Sequence, residues 1–265
     1  MFDCHMHSKF STDSGMDAVE ACEASIGLGL DGIAFTDHLD LDYPGSDLTW
    51  LIDFKQYFAR ISALKERYKR KLNVLRAIEV GIQPHVIDES LEIVKSGSFD
   101  YVLASVHVID GLDPYARDYY KERSKQDAYE RYLREIFFMI THYHEFDMVG
   151  HFEYIIRYAN YVDNSIRYAD HSGLFDCILK ELIRQGRGFE VNTGTYRDPA
   201  IPAEYDAGVL GRYRELGGEL VCLGSDAHKV GHIGLRFDYF AQIIRDAGFR
   251  YTVHYEDRKP VFDKL

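Results

Sequence analysis

Seven short apolar runs alternate with seven amphipathic stretches along this chain, and that alternation leaves few folds open. Strands are predicted over 2–5, 32–36, 73–80, 101–106, 148–150, 188–192 and 220–224. Helices are predicted between them, over 16–29, 54–71, 88–96, 125–145, 170–184, 203–216 and 238–247. The helical stretches carry apolar residues at i, i+3 and i+4, as in Leu174, Ile178 and Leu182 with Phe175 and Leu179 alongside. Gly29, Gly186 and Gly217 follow or end such stretches, where a left-handed cap is expected. Strands apolar on both faces and joined by helices imply a parallel sheet with right-handed crossovers. Seven such units most naturally close into an α/β barrel of the TIM type. An open doubly wound sheet is the alternative, but no GxGxxG follows the first strand. With no internal repeat, low-complexity tract or linker, residues 1–265 read as a single domain. The tyrosine-rich segment 154–168 reads as a long irregular loop, either covering a site or packed on the surface.

Bulk properties narrow the class. An apolar fraction of 46% suits a soluble protein with a full core. No run of about eighteen apolar residues suggests a membrane span, and no basic-then-apolar leader suggests secretion. Cys4, Cys22, Cys177 and Cys222 are scattered without a CxxC, as expected for reduced thiols in a cytoplasmic protein; Cys4 and Cys222 are expected to face the core. The net charge of −12 argues against a nucleic-acid partner, which needs a positive field. An anionic substrate would need that field reversed locally, and bound metal ions can do so.

Ligand-type residues fall at the ends of the predicted strands. His5 and His7 end the first. In a strand, residues i and i+2 share a face, so two imidazoles converge there; alone, a His-x-His pair is better explained by chance. Asp37 and His38 end the second strand, Glu79 the third, His107 the fourth, His151 the fifth, and Asp226 and His228 the seventh. In a parallel barrel all these ends meet on one face, where active sites are built. Chance would scatter such residues over helices and loops as well. His142 and His144 lie in a predicted helix, where i and i+2 diverge. They, with His85, His171, His232 and His254, are expected on the solvated surface.

These motifs resemble those of the PHP (polymerase and histidinol phosphatase) superfamily. The resemblance rests on His5-Met6-His7-Ser8 with Asp13, Thr36-Asp37-His38, Ile78-Glu79, Ser105-Val106-His107, Gly150-His151 and Ser225-Asp226-Ala227-His228. It runs in order from residue 5 to 228. The segments Asp100 to Gly111, Gly150-His151-Phe152 with Arg157-Tyr158, and Glu190-Val191-Asn192-Thr193 with Arg197 resemble the histidinol-phosphate phosphatase branch. Two departures stand out: Glu153 where that branch has Asp, and Asn-Thr-Gly-Thr-Tyr-Arg at 192–197. The resemblance implies a distorted seven-stranded (β/α)7 barrel with three divalent metal ions. The first would take His5, His7, Glu79 and Asp226, the second bridging Glu79, His107 and His151, and the third Asp13, His38 and His228. Imidazole and carboxylate donors without thiolate suit catalytic Zn, Mn or Fe. Three divalent ions against three carboxylates leave the centre positive, even after a bridging hydroxide is added. A small-molecule phosphomonoester is the expected partner.

The expected reaction is phosphomonoester hydrolysis, most naturally of L-histidinol phosphate in histidine biosynthesis. A water bridging two metals, held by Glu79 and the other ligands, would attack phosphorus in line. Arg197 and Arg157 are candidate phosphate clamps, because guanidinium binds phosphate in a bidentate manner; a surface ion pair is the competing assignment. Asp37 is read either as outer support for the ligands or as a hold on neighbouring backbone. Asp40, Asp42, Glu153 or Asp110 could receive the substrate ammonium, or be solvated loop acids. A nucleotide phosphatase or 3′–5′ exonuclease on the same site is the nearest alternative, and an amidohydrolase-like metalloenzyme a more distant one. A closed metal-binding or docking domain would call for cysteine ligands, which are lacking here. The sequence carries no signal for oligomeric state.

Overall fold

A computed structural model of the chain describes residues 1–45 and 51–265. Its strands are β1 (Phe2–Met6), β2 (Gly32–Phe35), β3 (His38–Asp40), β4 (Asn73–Gly81), β5 (Tyr101–Ser105), β6 (Met148–Val149), β7 (Gly188–Asn192) and β8 (Val221–Gly224), followed by a hairpin of β9 (Tyr251–Glu256) and β10 (Lys259–Lys264). The helices are α1 (Ala18–Gly27), α2 (Phe54–Tyr68), α3 (Ile87–Ser96), α4 (Lys125–His142), α5 (Ser172–Gln185), α6 (Ala207–Glu215) and α7 (Phe237–Asp246).

The sheet runs β1-β2-β4-β5-β6-β7-β8 and is parallel throughout. β2 and β3 are two segments of one barrel strand, both paired with β4. The ring closes at its C-terminal end, where Met6 bridges Ala227 and the Asp226 amide donates to the His5 carbonyl at 2.7 Å. Seven β/α units thus form a distorted barrel, as the alternation in the sequence predicts.

The helices lie where their apolar spacing puts them. α2 starts at Asp53, whose carboxylate accepts the Gln56 amide, and buries Tyr57, Ile61, Leu64 and Tyr68 along one stripe. α5 buries Phe175, Ile178, Leu179 and Leu182 and stops at Gly186, in the left-handed region with φ 67°. Alternate strand residues divide between two cores. Ile33, Val74, Ile78, Val102, Val191 and Leu223 join the large core that includes the helix stripes. Cys4, Ala34, Ala77, Leu103, Met148 and Cys222 form a separate inner cluster. Cys4 and Cys222 sit there as free thiols, facing a core as expected.

That inner cluster is completed by Val253 and Tyr255 of β9, so the C-terminal hairpin plugs the barrel. His254 is buried, not solvated as expected: its ring stacks on Phe2 at 3.6 Å and its Nδ1 bonds the Asp263 carboxylate at 2.6 Å. His171, beside the start of α5, is buried too, and His232 is half-buried against Arg197. His85, His142 and His144 are exposed as expected. No helix among the described residues is long and apolar enough to cross a membrane.

Candidate metal centre

The ligand-type residues converge at the C-terminal end of the barrel. In β1, three residue steps (Asp3 to Met6) oppose two in β2 (Ile33 to Phe35), the signature of a bulge. The extra residue lets His5 follow Cys4 to the inner side, and His7 then falls beside it. Their Nε2 atoms lie 3.0 Å apart and both rings are fully buried. Glu79, two residues beyond inward-facing Ala77 on β4, sits beneath them: Oε2 is 3.2 Å from His5 and 3.5 Å from His7, while Oε1 is 3.2 Å from His107 and 2.9 Å from His151. Asp226 Oδ1 lies 3.3 Å from His7 and 3.6 Å from His5. On the outer side, Asp13 Oδ2 is 2.9 Å from His228 and 3.7 Å from His38. All nine predicted ligand residues, His5, His7, Asp13, His38, Glu79, His107, His151, Asp226 and His228, are therefore brought together.

A layer of outer groups sets the ring tautomers. Glu190 Oε1 accepts from His5 Nδ1 at 2.8 Å, and Asp40 Oδ1 accepts from His107 Nδ1 at 2.7 Å. His7 Nδ1 donates to Ser11 Oγ at 3.1 Å, and Ser11 Oγ donates to Asp37 at 2.8 Å. His228 Nδ1 donates to the Asp226 carbonyl at 3.1 Å. Each of these contacts protonates the far nitrogen and leaves the Nε2 lone pair facing the cluster, the arrangement metal-ligating histidines adopt. Asp37 also accepts the Ser8 and Ser11 amides, so it holds the β1–α1 loop. Gly224 and Gly81 make room for two of the outer carboxylates. A Cβ on Gly224 would fall 1.8 Å from Glu190 Oε1, and one on Gly81 would fall 1.7 Å from Asp40 Oδ1.

The electrostatics fit a site built for cations. Burial alone would raise Glu79 and Asp226, but the surrounding histidines, with Arg157 for Asp226, hold both carboxyls well below their usual range. Burial alone would depress His5, His38 and His107. Their neighbouring carboxylates outweigh it, pushing His38 to about 9 and the other two well up. His7 goes the other way, because burial is reinforced by His228 and His38. Four triads of donor atoms, each mutually within 4.8 Å, combine His5, His7 and Glu79; His5, His151 and Asp226; His7, His38 and His228; and His38, Glu79 and His107. Imidazole nitrogens and carboxylate oxygens at such separations fit Zn, Mn or Fe.

Beside the cluster opens a cavity of about 680 Å³. Its wall runs outward from His107 and His151 through Tyr154, whose ring is 5.2 Å from each, to Tyr158 and Tyr115. Buried Asp113 accepts hydrogen bonds from Tyr43, from Tyr154 at 2.8 Å and from the Tyr115 amide at 2.8 Å, so one carboxylate fixes three tyrosines of that wall. Asp113 and Asp118 line the cavity; neither was expected from the sequence, since both lie in a loop without periodicity.

The carboxylates expected at the rim divide. Asp40 lines the cavity but is buried, and its Oδ1 accepts from the His107 ring, which gives it a positioning role. Asp42 pairs with His85 and Asp110 with Arg131. Glu153 is buried and does not line the cavity; burial pushes its carboxyl up to about 8. Arg157 does reach the cavity, held by Asp226 at 2.5 Å and by Thr195 at 2.8 Å. Arg197 braces backbone, donating to the carbonyls of Gly194 at 2.9 Å and Asp226 at 2.8 Å.

Barrel, donor set and outer carboxylates together define a metal-dependent phosphoesterase site. Residues 3–194 match the PHP domain, and the chain belongs to that family. It is 35% identical over 238 residues to a Clostridium acetobutylicum protein named "Probable histidinol-phosphatase", covering 89% of this chain and 90% of that one. It is 31% identical to the histidinol-phosphatase of Lactococcus lactis subsp. lactis, covering 93% and 91%. The crystal structure of histidinol phosphate phosphatase from Lactococcus lactis, complexed with zinc, L-histidinol and phosphate, superposes with a TM-score of 0.90 at 29% identity, covering 99% of this chain and 98% of that one.

Proposed function

We propose that this protein is a histidinol-phosphatase, hydrolysing L-histidinol phosphate to L-histidinol and phosphate at a three-metal centre. The observation that carries the reading is the convergence of nine imidazole and carboxylate side chains on one barrel end, beside a cavity walled by tyrosines and Asp113. The relatives named for this activity, and the zinc, L-histidinol and phosphate held by one of them, support the choice of substrate. The first metal would be held by His5, His7, Glu79 and Asp226, the second by Glu79, His107 and His151, and the third by Asp13, His38 and His228. Bound there, divalent ions would supply Lewis acidity toward phosphoryl oxygens and a water nucleophile that is acidic enough near neutral pH.

The chain's own residues do the rest. Asp40 and Glu190 keep His107 and His5 in the ligating tautomer. Arg157 reaches the cavity from the Asp226 side, where a guanidinium stabilises charge on a transferring phosphoryl group. The tyrosine wall receives the organic part, and the charge of Asp113 and Asp118 favours its ammonium over a neutral leaving group.

A panel of phosphomonoesters with added Mn²⁺ or Zn²⁺ tests the substrate, histidinol phosphate being turned over faster than p-nitrophenyl phosphate. Equal kcat/KM for the two would overturn that choice. For the centre itself, His7→Asn or Glu79→Gln should remove bound metal and activity together, and full metal content in either variant would refute the ligand set.

A further inference from the structure

The cleft has a second lobe, of about 740 Å³, that meets the first at Asp13, Tyr115, Arg157, Tyr158, Asp226 and His228. Its character is opposite. Beyond the shared residues, the tyrosine lobe carries Asp40, Glu79, Asp113 and Asp118 and no lysine or arginine. The second lobe carries Arg117, Arg197, Lys229 and His232 against a lone added carboxylate, Asp198. In a chain of net charge −12, a cationic pocket opening on the reaction centre is a marked local reversal. Arg197 is occupied with backbone carbonyls and His232. Arg117 and Lys229 make no ion pair among the described residues, and both are exposed at this lobe.

A monoester has a single organic arm, and the tyrosine lobe takes it. We propose that the cationic lobe is a second site for a tetrahedral oxyanion, through which the phosphate product leaves the metal centre. This rests on the phosphatase reading. Phosphate released at the cluster carries two negative charges near neutral pH. Arg117 and Lys229 offer it a stepping point away from the metals while the alcohol departs along the tyrosine wall. Cation-lined clefts raise the local concentration of anions in this way.

The test is a calorimetric titration of inorganic phosphate into the zinc-loaded protein. Two binding events per chain are expected, the weaker strongly reduced by added salt. In Arg117→Gln/Lys229→Gln the weaker event should lose affinity by roughly fivefold or more, the loss of two exposed charge contacts, while the tighter event stays. Initial-rate kcat and KM should be unchanged, and phosphate inhibition should turn from mixed to simply competitive. The single variants Arg117→Gln and Lys229→Gln should each show part of the loss, which guards against misfolding of the double variant. A single event in the unsubstituted protein, or a weaker event insensitive to all three variants, overturns the proposal. If histidinol phosphate proves no better than other esters while two events persist, the substrate assignment fails and the second site stands.

Discussion

Glu190→Gln tests the idea that outer carboxylates, as much as the ligands, make this centre. Glu190 is buried on β7 and serves two sides: Oε1 accepts His5 Nδ1 at 2.8 Å, and Oε2 accepts the His151 amide and Asn192 Nδ2, each at 3.0 Å. Glutamine has the same shape but one acceptor oxygen. If that oxygen keeps the two N–H donors, its NH₂ faces His5 Nδ1 and the ring must move its proton to Nε2, the atom that should bind metal. If it keeps His5, the NH₂ collides with the His151 and Asn192 donors. The first choice preserves more hydrogen bonds. A charge-assisted hydrogen bond is worth about 1.5–3 kcal/mol, and losing the outer partner of a ligating histidine typically weakens metal binding about 10–100-fold. These magnitudes agree, since each factor of ten is about 1.4 kcal/mol. The assay is zinc affinity in metal-buffered solution, with bound metal counted by elemental analysis and folding checked by near-UV circular dichroism. Zinc affinity within about twofold of the parent would refute the tautomer argument.

Gly224→Ala and Gly81→Ala should each displace an outer carboxylate, with a Cβ 1.8 Å from Glu190 Oε1 or 1.7 Å from Asp40 Oδ1. Thermal unfolding should show a loss of about 1–3 kcal/mol, as for other overpacked sites, together with reduced zinc content; parental values for both would count against the packing described. Metal affinity should rise with pH up to about 9, because imidazole must shed its proton to bind, and the neighbouring carboxylates hold His38 protonated to about 9, with His5 and His107 also raised. A titration showing affinity flat from neutral pH upward would exclude this proton competition. Asp113→Asn should raise KM for histidinol phosphate more than for p-nitrophenyl phosphate, which lacks the ammonium; an equal effect on both esters would remove Asp113 from leaving-group recognition.

The barrel was legible in the sequence because its signals are long and redundant. Each helix shows several turns of apolar stripe, and each principal strand is bounded by breaks. Eight of the nine proposed ligand positions were legible for a topological reason: parallel strands bring their C-terminal ends together whatever their lengths. The ninth, Asp13, lies in the loop between β1 and α1 and was visible only through the family resemblance. What escaped is short or non-local. β3 spans His38–Asp40 and shows no period. The C-terminal hairpin turns at Asp257 and Arg258, both at positive φ (48° and 64°), without the Asn-Gly pair that normally marks such a turn. Pro260 lies on β10, an edge strand, which tolerates a residue that a central strand would not. His254 therefore looked like a terminal surface residue, when the hairpin buries it. The positioning role of Asp40 was not legible, because nothing local reports that His107, far along the chain, will donate to it.

The protonation pattern indicates how such a cluster can fold before it holds metal. Several imidazoles and carboxylates lie buried within one site, and an isolated buried charge costs several kcal/mol. The shifts are reciprocal. His5, His38 and His107 are driven toward the cationic form, while Glu79, Asp226 and Asp40, the last held near 2, are driven toward the anionic one. Each acid is thus balanced by cationic neighbours: rings for Glu79 and Asp40, and Arg157 with rings for Asp226. Divalent ions entering the site would displace protons from groups already aimed at the cluster, with the outer carboxylates and serine holding most rings in place. Below them the plugged inner core, packed from Cys4 to Tyr255, gives the strand ends a rigid base. Metal uptake should then be an exchange of protons for cations with little backbone change, which is why its pH dependence is more diagnostic than any change in fold.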